Sequence, residues 1–251
     1  MTVTTSGTFE EALSAIDGIT GWLSRDQARM LFERARSLPT GATIVEIGSY
    51  RGRSTIVLAR GAAGRVDLVA IDQHAGNDRG PQQIRGSADE GQREHEAFIA
   101  NLRRAGVLEL VRHVRRPSQE ALDSVGPAVD LLYIDGAHRY RPARDDIVRW
   151  GSRVPRGGTL LLHDSFSAVG VTLAQARLLL FTRRFRFVRR MGTLSEYRRE
   201  DLGVGARALN GCKQLAQLPS FARNMLVKLA LLARMRRLAW ILGQRTGEWP
   251  Y

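Results

Sequence analysis

Two carboxylates and two imidazoles stand out in the second half of this chain. Asp135 and His138 lie in Asp135-Gly-Ala-His138-Arg-Tyr140, and His163 precedes Asp164 in His163-Asp164-Ser165. Carboxylate oxygens joined by an imidazole nitrogen can hold a divalent cation while leaving coordination positions open to a reactant. Each residue also has a plainer reading. Asp164 suits the N-cap of a following helix, His163 a core histidine at a strand end, and His138 a loop side chain bonding backbone. The cation reading gains weight because Asp135, His163 and Asp164 accompany a second constellation that suits a cofactor pocket.

That second constellation is Thr43-Ile-Val-Glu-Ile-Gly-Ser-Tyr-Arg-Gly-Arg-Ser-Thr55. Ile44, Val45 and Ile47 suit a strand covered on both faces. Gly48 and Gly52 allow a tight turn and a close backbone approach, with Ser49 between them. Ser54 and Thr55 place hydroxyls in the first turn of the helix that follows. Glu46, inside the strand end, argues against a phosphate cradle and suits a positively charged ligand. Asp72 follows Gly48 by 24 residues, a separation at which an acid can accept hydrogen bonds from a ribose diol; Gln73 adjoins it. Ser118 either approaches an adenine or caps a helix.

Positioning these residues requires alternating strands and helices. Strands are predicted at Thr43–Gly48, Val66–Ile71, Glu109–Val114, Val129–Ile134 and Thr159–His163. Helices are predicted near Ser54–Arg60, Glu94–Ala105, Ser118–Ser124, Ala143–Trp150 and Leu173–Phe181. Such alternation implies an α/β fold with a mostly parallel sheet and helices on both faces. Right-handed crossovers put every strand's C-terminal end on one edge, where ligands bind. Each of the five strands ends in or leads to a polar residue. Residues 73–93 read as a long irregular loop. A closing antiparallel hairpin is expected around Met191-Gly192. The expected organisation is a helical N-terminal extension over 1–40, a catalytic domain over 41–200 and a basic helical tail over 201–251.

Composition narrows the function classes. A single cysteine, Cys212, excludes an internal disulfide and a cysteine-rich zinc site and fits a reducing compartment. No signal peptide is expected in the first thirty residues. No uncharged apolar run reaches the length of a bilayer span. The location expected is cytoplasmic. The net charge of +13 is uneven: residues 202–251 carry eight basic side chains against the single acid Glu248. This tail reads either as a helix lying in anionic headgroups at the inner face of a membrane or as one packed on the domain or a partner subunit. His74, His95 and His113 read as surface or loop residues.

The pattern from Glu46 to Thr55, E-x-G-x-x-x-G-x-[ST], resembles the first motif of class I S-adenosylmethionine-dependent methyltransferases. Over roughly residues 15 to 200 the likeness sharpens. The run Leu131–Tyr140, then Asp145 and Asp146, then Pro155–Phe166, is similar to a branch of metal-dependent O-methyltransferases acting on sugars of macrolides and polysaccharides, and more distantly to catechol O-methyltransferases. The resemblance implies a Rossmann-like fold. It implies S-adenosylmethionine bound through Glu46, Gly48, Ser49, Gly52, Ser54, Asp72, Gln73, Ser118 and Asp135. Asp135 and Asp164 become metal ligands and His138 the general base. Relatives usually carry an acid where this chain has His163; the metal expected is Mg2+ or Mn2+, with imidazole favouring the latter. The acceptor expected is a hydroxyl of a sugar, glycoside or polysaccharide, and a homo-oligomer is expected. The alternatives are a nucleic-acid methyltransferase and a non-catalytic membrane-surface protein that kept the fold.

Overall fold

The computed structural model describes residues 7–76 and 86–243. Seven strands form one sheet: β1 (Thr43–Ile47), β2 (Asp67–Ile71), β3 (Val111–Val114), β4 (Leu131–Ile134), β5 (Thr159–Leu162), β6 (Phe185–Met191) and β7 (Leu194–Arg199). Their spatial order is β3-β2-β1-β4-β5-β7-β6. The first five are mutually parallel, and β7 pairs antiparallel with both β5 and β6. The expected closing hairpin is therefore present, centred on Gly192 at φ +58°. The α/β expectation, with a mostly parallel sheet, holds.

Alternation along the strands sorts side chains into two cores. Ile44, Leu131 and Tyr133 pack on one face with Phe32 of α2 (Arg25–Arg36), Leu58 of α3 (Arg53–Ala62) and Phe98 of α4 (Ala88–Arg104). α1 (Phe9–Ala15) adds Phe9 to this core. Val45, Leu132 and Ile134 pack on the other face with Ile147 of α5 (Tyr140–Arg149) and Val171 of α6 (Val169–Leu179). Both α1 and α2 begin with capping boxes, Thr8 with Glu11 and Ser24 with Gln27, which satisfy helix-end amides that would otherwise go unpaired.

The strand order reverses between β1 and β4, because β2 and β3 lie to one side and β5 to the other. Helices leave on opposite faces there, so a crevice opens beyond the two strand ends. The C-terminal residues of β1, β2, β3, β4 and β5 all face this rim.

Three local expectations change. Residues 118–124, predicted as a helix, form two 3-10 turns, Ser118–Glu120 and Leu122–Ser124, following the extended backbone at Pro117. The expected loop over 73–93 is shorter, because α4 starts at Ala88 with Ser87 as its N-cap; residues 77–85 lie outside the described part. β3 loses its first residues to a 3-10 turn at Leu108–Leu110.

The tail forms α7 (Val204–Leu215), α8 (Leu218–Leu232) and α9 (Arg236–Ile241). Polar side chains bind α7 to the sheet. Asn210 Oδ1 accepts from the Phe187 amide at 2.6 Å, and its Nδ2 donates to the carbonyls of Leu179 and Phe185, each at 3.3 Å. Gln214 donates to the Leu179 carbonyl at 2.9 Å and accepts from the Tyr197 hydroxyl at 2.9 Å. The Phe187 contact falls where the β6–β7 register slips, between Phe187 and Arg189. Asn210 thus covers backbone groups that an edge strand leaves exposed. No helix among the described residues is long and apolar enough to cross a membrane. Leu226, Leu229 and Leu232 of α8 are exposed.

Replacing Asn210 with alanine strands a buried amide and carbonyls together. Asn210→Ala should cost about 1–3 kcal/mol, read as a lower urea midpoint; an unchanged midpoint would show that water satisfies these groups.

Candidate active site

Two adjoining cavities open at the β1–β4 crevice. The larger, of about 420 Å³, runs from Asp72 and Gln73 past Gly48 to Ser118, Asp135 and Asp146. That volume falls within the range for cofactor-sized ligands. The smaller, of about 90 Å³, lies between Trp22, Tyr50, Arg53, His138, His163 and Asp164. Gly48, Tyr50, Asp135 and Gly136 line both.

Gly48 makes the junction possible. Its φ is +86°, and a Cβ there would lie 2.2 Å from the Asp135 carbonyl oxygen. The β1 and β4 ends are thus in backbone contact, and the Asp135 amide donates to the Ile47 carbonyl at 2.8 Å. Gly52, at φ +84°, is the N-cap of α3, and a Cβ there would meet Leu102 at 2.5 Å.

Asp72 organises the same turn. One carboxylate oxygen accepts from the amides of Ser49 at 3.0 Å and Tyr50 at 2.8 Å, and the other accepts from the His74 amide at 2.8 Å. A carboxylate offers about four acceptor positions, so capacity remains for a hydroxyl in the cleft. Ser118 also lines the cleft, but its hydroxyl donates to Asp146 at 2.5 Å. Burial pushes the Asp146 carboxyl up to about 6, against the opposing bonds from Ser118 and Gln119.

Glu46 sits elsewhere. It lines neither cavity and is fully buried beneath α3, where Ser54 and Thr55 each donate to its carboxylate at 2.5 Å. The Ser54 hydroxyl is turned inward with it. Burial raises the Glu46 pKa to about 8, outweighing the two hydroxyl bonds. Its visible role is to hold the start of α3 onto the end of β1.

Asp135, His163 and Asp164 converge. One donor atom from each lies within 4.8 Å of the others. His163 Nδ1 is 3.1 Å from Asp135 and 3.3 Å from Asp164. Neither ring nitrogen of His163, nor Asp164 Oδ1, makes a geometrically sound hydrogen bond, though all three are buried. Donors that face one another without bonding suit a cation between them, and the donor set of two oxygens and one nitrogen fits manganese, iron or zinc better than magnesium. Tyr133 donates to Asp135 Oδ2 at 2.7 Å. His138 Nε2 lies 2.7 Å from Asp164 Oδ2. Burial disfavours the His138 cation, but the neighbouring Asp164 carboxylate overcomes this and raises its pKa.

Backbone strain supports the loop that carries Asp164. Asp164 and Phe166 adopt φ +57° and +56°, which side-chain-bearing residues hold only when their surroundings enforce it. Here Ser165 donates its amide to the Thr193 carbonyl at 2.9 Å. From α8, Asn224 donates to the Phe166 carbonyl at 3.0 Å and Lys228 to the Ser167 carbonyl at 2.9 Å.

The sequence reading missed the roof of the smaller cavity. Arg53 donates to the carbonyls of Ile16, Ile19 and Leu23 at 3.2, 2.7 and 3.4 Å, fastening residues 16–23 over the site. Trp22 then stacks on Tyr50 with ring centroids 5.9 Å apart. An arginine opening the helix after the glycine turn was the available signal. The surface-or-loop reading of His74, His95 and His113 is corrected in part: His74 lies in a loop as expected, but His95 is on α4 and His113 in β3. His74 is buried, and the three rings lie together, because β3 runs beside β2 and α4 crosses over both.

Glu46 gives a signed pH prediction. Its folded pKa lies above the unfolded value of about 4.5, so the folded state keeps a proton the unfolded chain releases. Stability conferred by this group therefore falls as pH rises from about 4.5 to about 8 and is level beyond. Glu46→Gln removes that loss. Its stability relative to wild type should be about 2–4 kcal/mol more favourable at pH 8 than at pH 5, measured by urea unfolding; an identical difference at both pH values would show Glu46 ionised throughout.

Comparison with known proteins accords with this geometry. Residues 45–165 match a family described as a methyltransferase domain. The chain is 30% identical over 134 residues to the catechol O-methyltransferase of Mycobacterium tuberculosis (strain ATCC 25618 / H37Rv), covering 53% of this chain and 52% of that protein. It therefore spans about half the length of the curated relative it matches. Among solved structures, cofactor-bound Rv0187 from MTB superposes with a TM-score of 0.53 at 21% identity, over 77% of this chain and 89% of that one. The O-methyltransferase TomG from Streptomyces achromogenes, in complex with SAM, superposes with a TM-score of 0.51 at 19% identity, over 78% and 89%. At these identities the superpositions establish the shared fold. The matched segment, from the middle of β1 to the strained turn after β5, contains Gly48, Asp72, Asp135, His138, His163 and Asp164, and over it the chain is similar to methyltransferase domains.

Proposed function

We propose that this chain is an O-methyltransferase that moves a methyl group from S-adenosylmethionine to a hydroxyl of a sugar or glycoside-type acceptor, assisted by a divalent metal. The observation that carries the reading is the pair of cavities meeting at Gly48 and Asp135. The larger accommodates the donor along the β1, β2 and β4 ends, with Asp72 accepting from the ribose. The smaller places an acceptor oxygen against Asp135, His163, Asp164 and His138.

The transfer breaks the sulfur–methyl bond and forms an oxygen–methyl bond, with S-adenosylhomocysteine as leaving group and a proton left over from the hydroxyl. Proximity and alignment supply much of the rate. His138 takes the proton, its ring oriented by Asp164. Asp135, His163 and Asp164 would hold the metal, which lowers the acceptor hydroxyl's pKa when bound. Two neighbouring acceptor oxygens would suit such a site, hence a vicinal diol. The stacked Trp22 and Tyr50 offer a flat face to a sugar ring, and the named activity of the Mycobacterium tuberculosis relative, on catechol, involves a diol as well. Engagement of the tail through Asn224 and Lys228 favours a positioning role for α8 over nucleic-acid binding.

Calorimetry should show S-adenosylmethionine binding that weakens by about 1–3 kcal/mol in Asp72→Ala; undiminished affinity in the folded variant would remove Asp72 from the donor site. Turnover on a panel of sugars, glycosides and catechols should vanish with chelator and return with manganese or magnesium; full activity in metal-stripped protein would refute metal assistance.

His138→Ala should lower kcat by about 10²–10⁴-fold with little change in donor affinity. A near-normal single-turnover rate would make His138 structural.

A further inference from the structure

A second group of metal-type donors lies outside the proposed acceptor site. His74 occupies the turn after β2, His95 lies on α4, and His113 lies in β3. One ring nitrogen from each comes within 4.8 Å of the other two. The His74 ring is buried, and neither of its nitrogens has a hydrogen-bond partner. His95 Nδ1 and His113 Nε2 are likewise buried and unpartnered. Four unpaired ring nitrogens in one place are costly to fold around, unless the site has another use for them. Phe98 backs the group, 4.6 Å from the His113 ring and 5.5 Å from that of His74. The backbone is shaped to bring His74 in. Its φ is +48°, and α4 passes so close that a Cβ on Gly91 would lie 1.9 Å from the His74 carbonyl oxygen.

We infer that His74, His95 and His113 form a three-histidine site for a borderline transition-metal dication of the zinc class, joining β2, α4 and β3. Three imidazoles select zinc, cobalt, nickel or copper and reject magnesium and calcium, which require oxygen. Around a tetrahedral ion with bonds of about 2.0–2.1 Å the nitrogens stand about 3.3 Å apart. Metal binding would therefore require the rings to rotate or shift inward from their present spacing. The fourth position is left to water or a small anion. The rings are also in the neutral form that coordinates: burial lowers all three pKa values, that of His113 to about 4, aided by the neighbouring imidazoles at His74 and His113 and by Arg115 at His95. Arg115 opposes a cation here, and Asp72 favours one. Because the His74 amide donates to Asp72, a bound ion pins the corner of the fold that carries the ribose acceptor. The inference stands whether or not the acceptor reading is correct, since the two sites share no residue.

The test is a cobalt(II) titration of metal-stripped, full-length protein, read by visible absorption and by metal content. Wild type, Asp135→Asn/Asp164→Asn and His95→Gln/His113→Gln are run in parallel, with far-ultraviolet circular dichroism and the urea midpoint as checks on folding. The aspartate variant should retain one equivalent of cobalt with a tetrahedral-type band that excess magnesium does not displace. The histidine variant should lose that band and bind at that site at least about ten-fold more weakly, in line with loss of two of three ligands. If the double histidine variant fails to fold, His95→Ala alone, at a half-buried position, should show the same loss. Absence of cobalt from the aspartate variant, or an unchanged band in the histidine variants, would overturn the site and leave the three rings as a packed aromatic cluster.

Discussion

Backbone contact between the ends of β1 and β4 is the constraint on which the site depends. Only a residue without a side chain fits between Ile47 and the Asp135 carbonyl, and the left-handed φ of Gly48 turns the chain away at that point. Had β1 and β4 been held apart by even a methyl group, the two cavities would not share a wall. Asp72 reinforces the geometry by accepting from the Ser49 and Tyr50 amides, and Glu46 does so from below through Ser54 and Thr55. The turn is thus fixed by two acidic side chains on opposite sides, one toward the cleft and one away from it.

The rim concentrates negative charge on a buried Asp164 and a half-buried Asp135. Asp135 and Asp164 face each other across His163, with His138 beside them. Isolated buried carboxylates are costly, and such groups persist only where something positive offsets them. Imidazolium or a metal cation can each do so, and a cation between them also accounts for nitrogens and oxygens that approach without hydrogen-bond geometry. The left-handed backbone at Asp164 and Phe166 is the local cost of aiming these donors. That cost is met from a distance, by Thr193 in the hairpin and by Asn224 and Lys228 of α8. The tail and the rim of the crevice are therefore mechanically one unit, although 60 or so residues separate them in sequence.

Much of this was legible in the residues. Buried-strand runs such as Ile44–Ile47 and Leu131–Ile134 have few alternatives, the glycine turn at Gly48 requires a residue free of Cβ, and polar residues at successive strand ends must meet once the strands are parallel. Hence the sheet, the crevice and the convergence of Asp135, His163 and Asp164 could be read before any coordinates. The first turns of α4, before Glu94, could not be read as helix, because they carry no apolar periodicity; the apolar face comes later, at Phe98 and Leu102.

Tertiary structure decided what each polar group faces. Glu46 lies one residue from the crevice in sequence, yet strand alternation turns it under α3, since neighbouring side chains on a strand point to opposite faces. The three histidines at 74, 95 and 113 are separated by about twenty residues each, and nothing in their local context marks them. They meet because β3 pairs with β2 while α4 folds back across both, a long-range consequence of topology. Arg53, Trp22 and the α8 clamp belong to the same class. Sequence alone determined the covalent pattern that forces an α/β sheet with a functional edge. Which side chains share a cavity was set only when distant segments packed, because contact distance is a property of the folded chain and not of residue spacing.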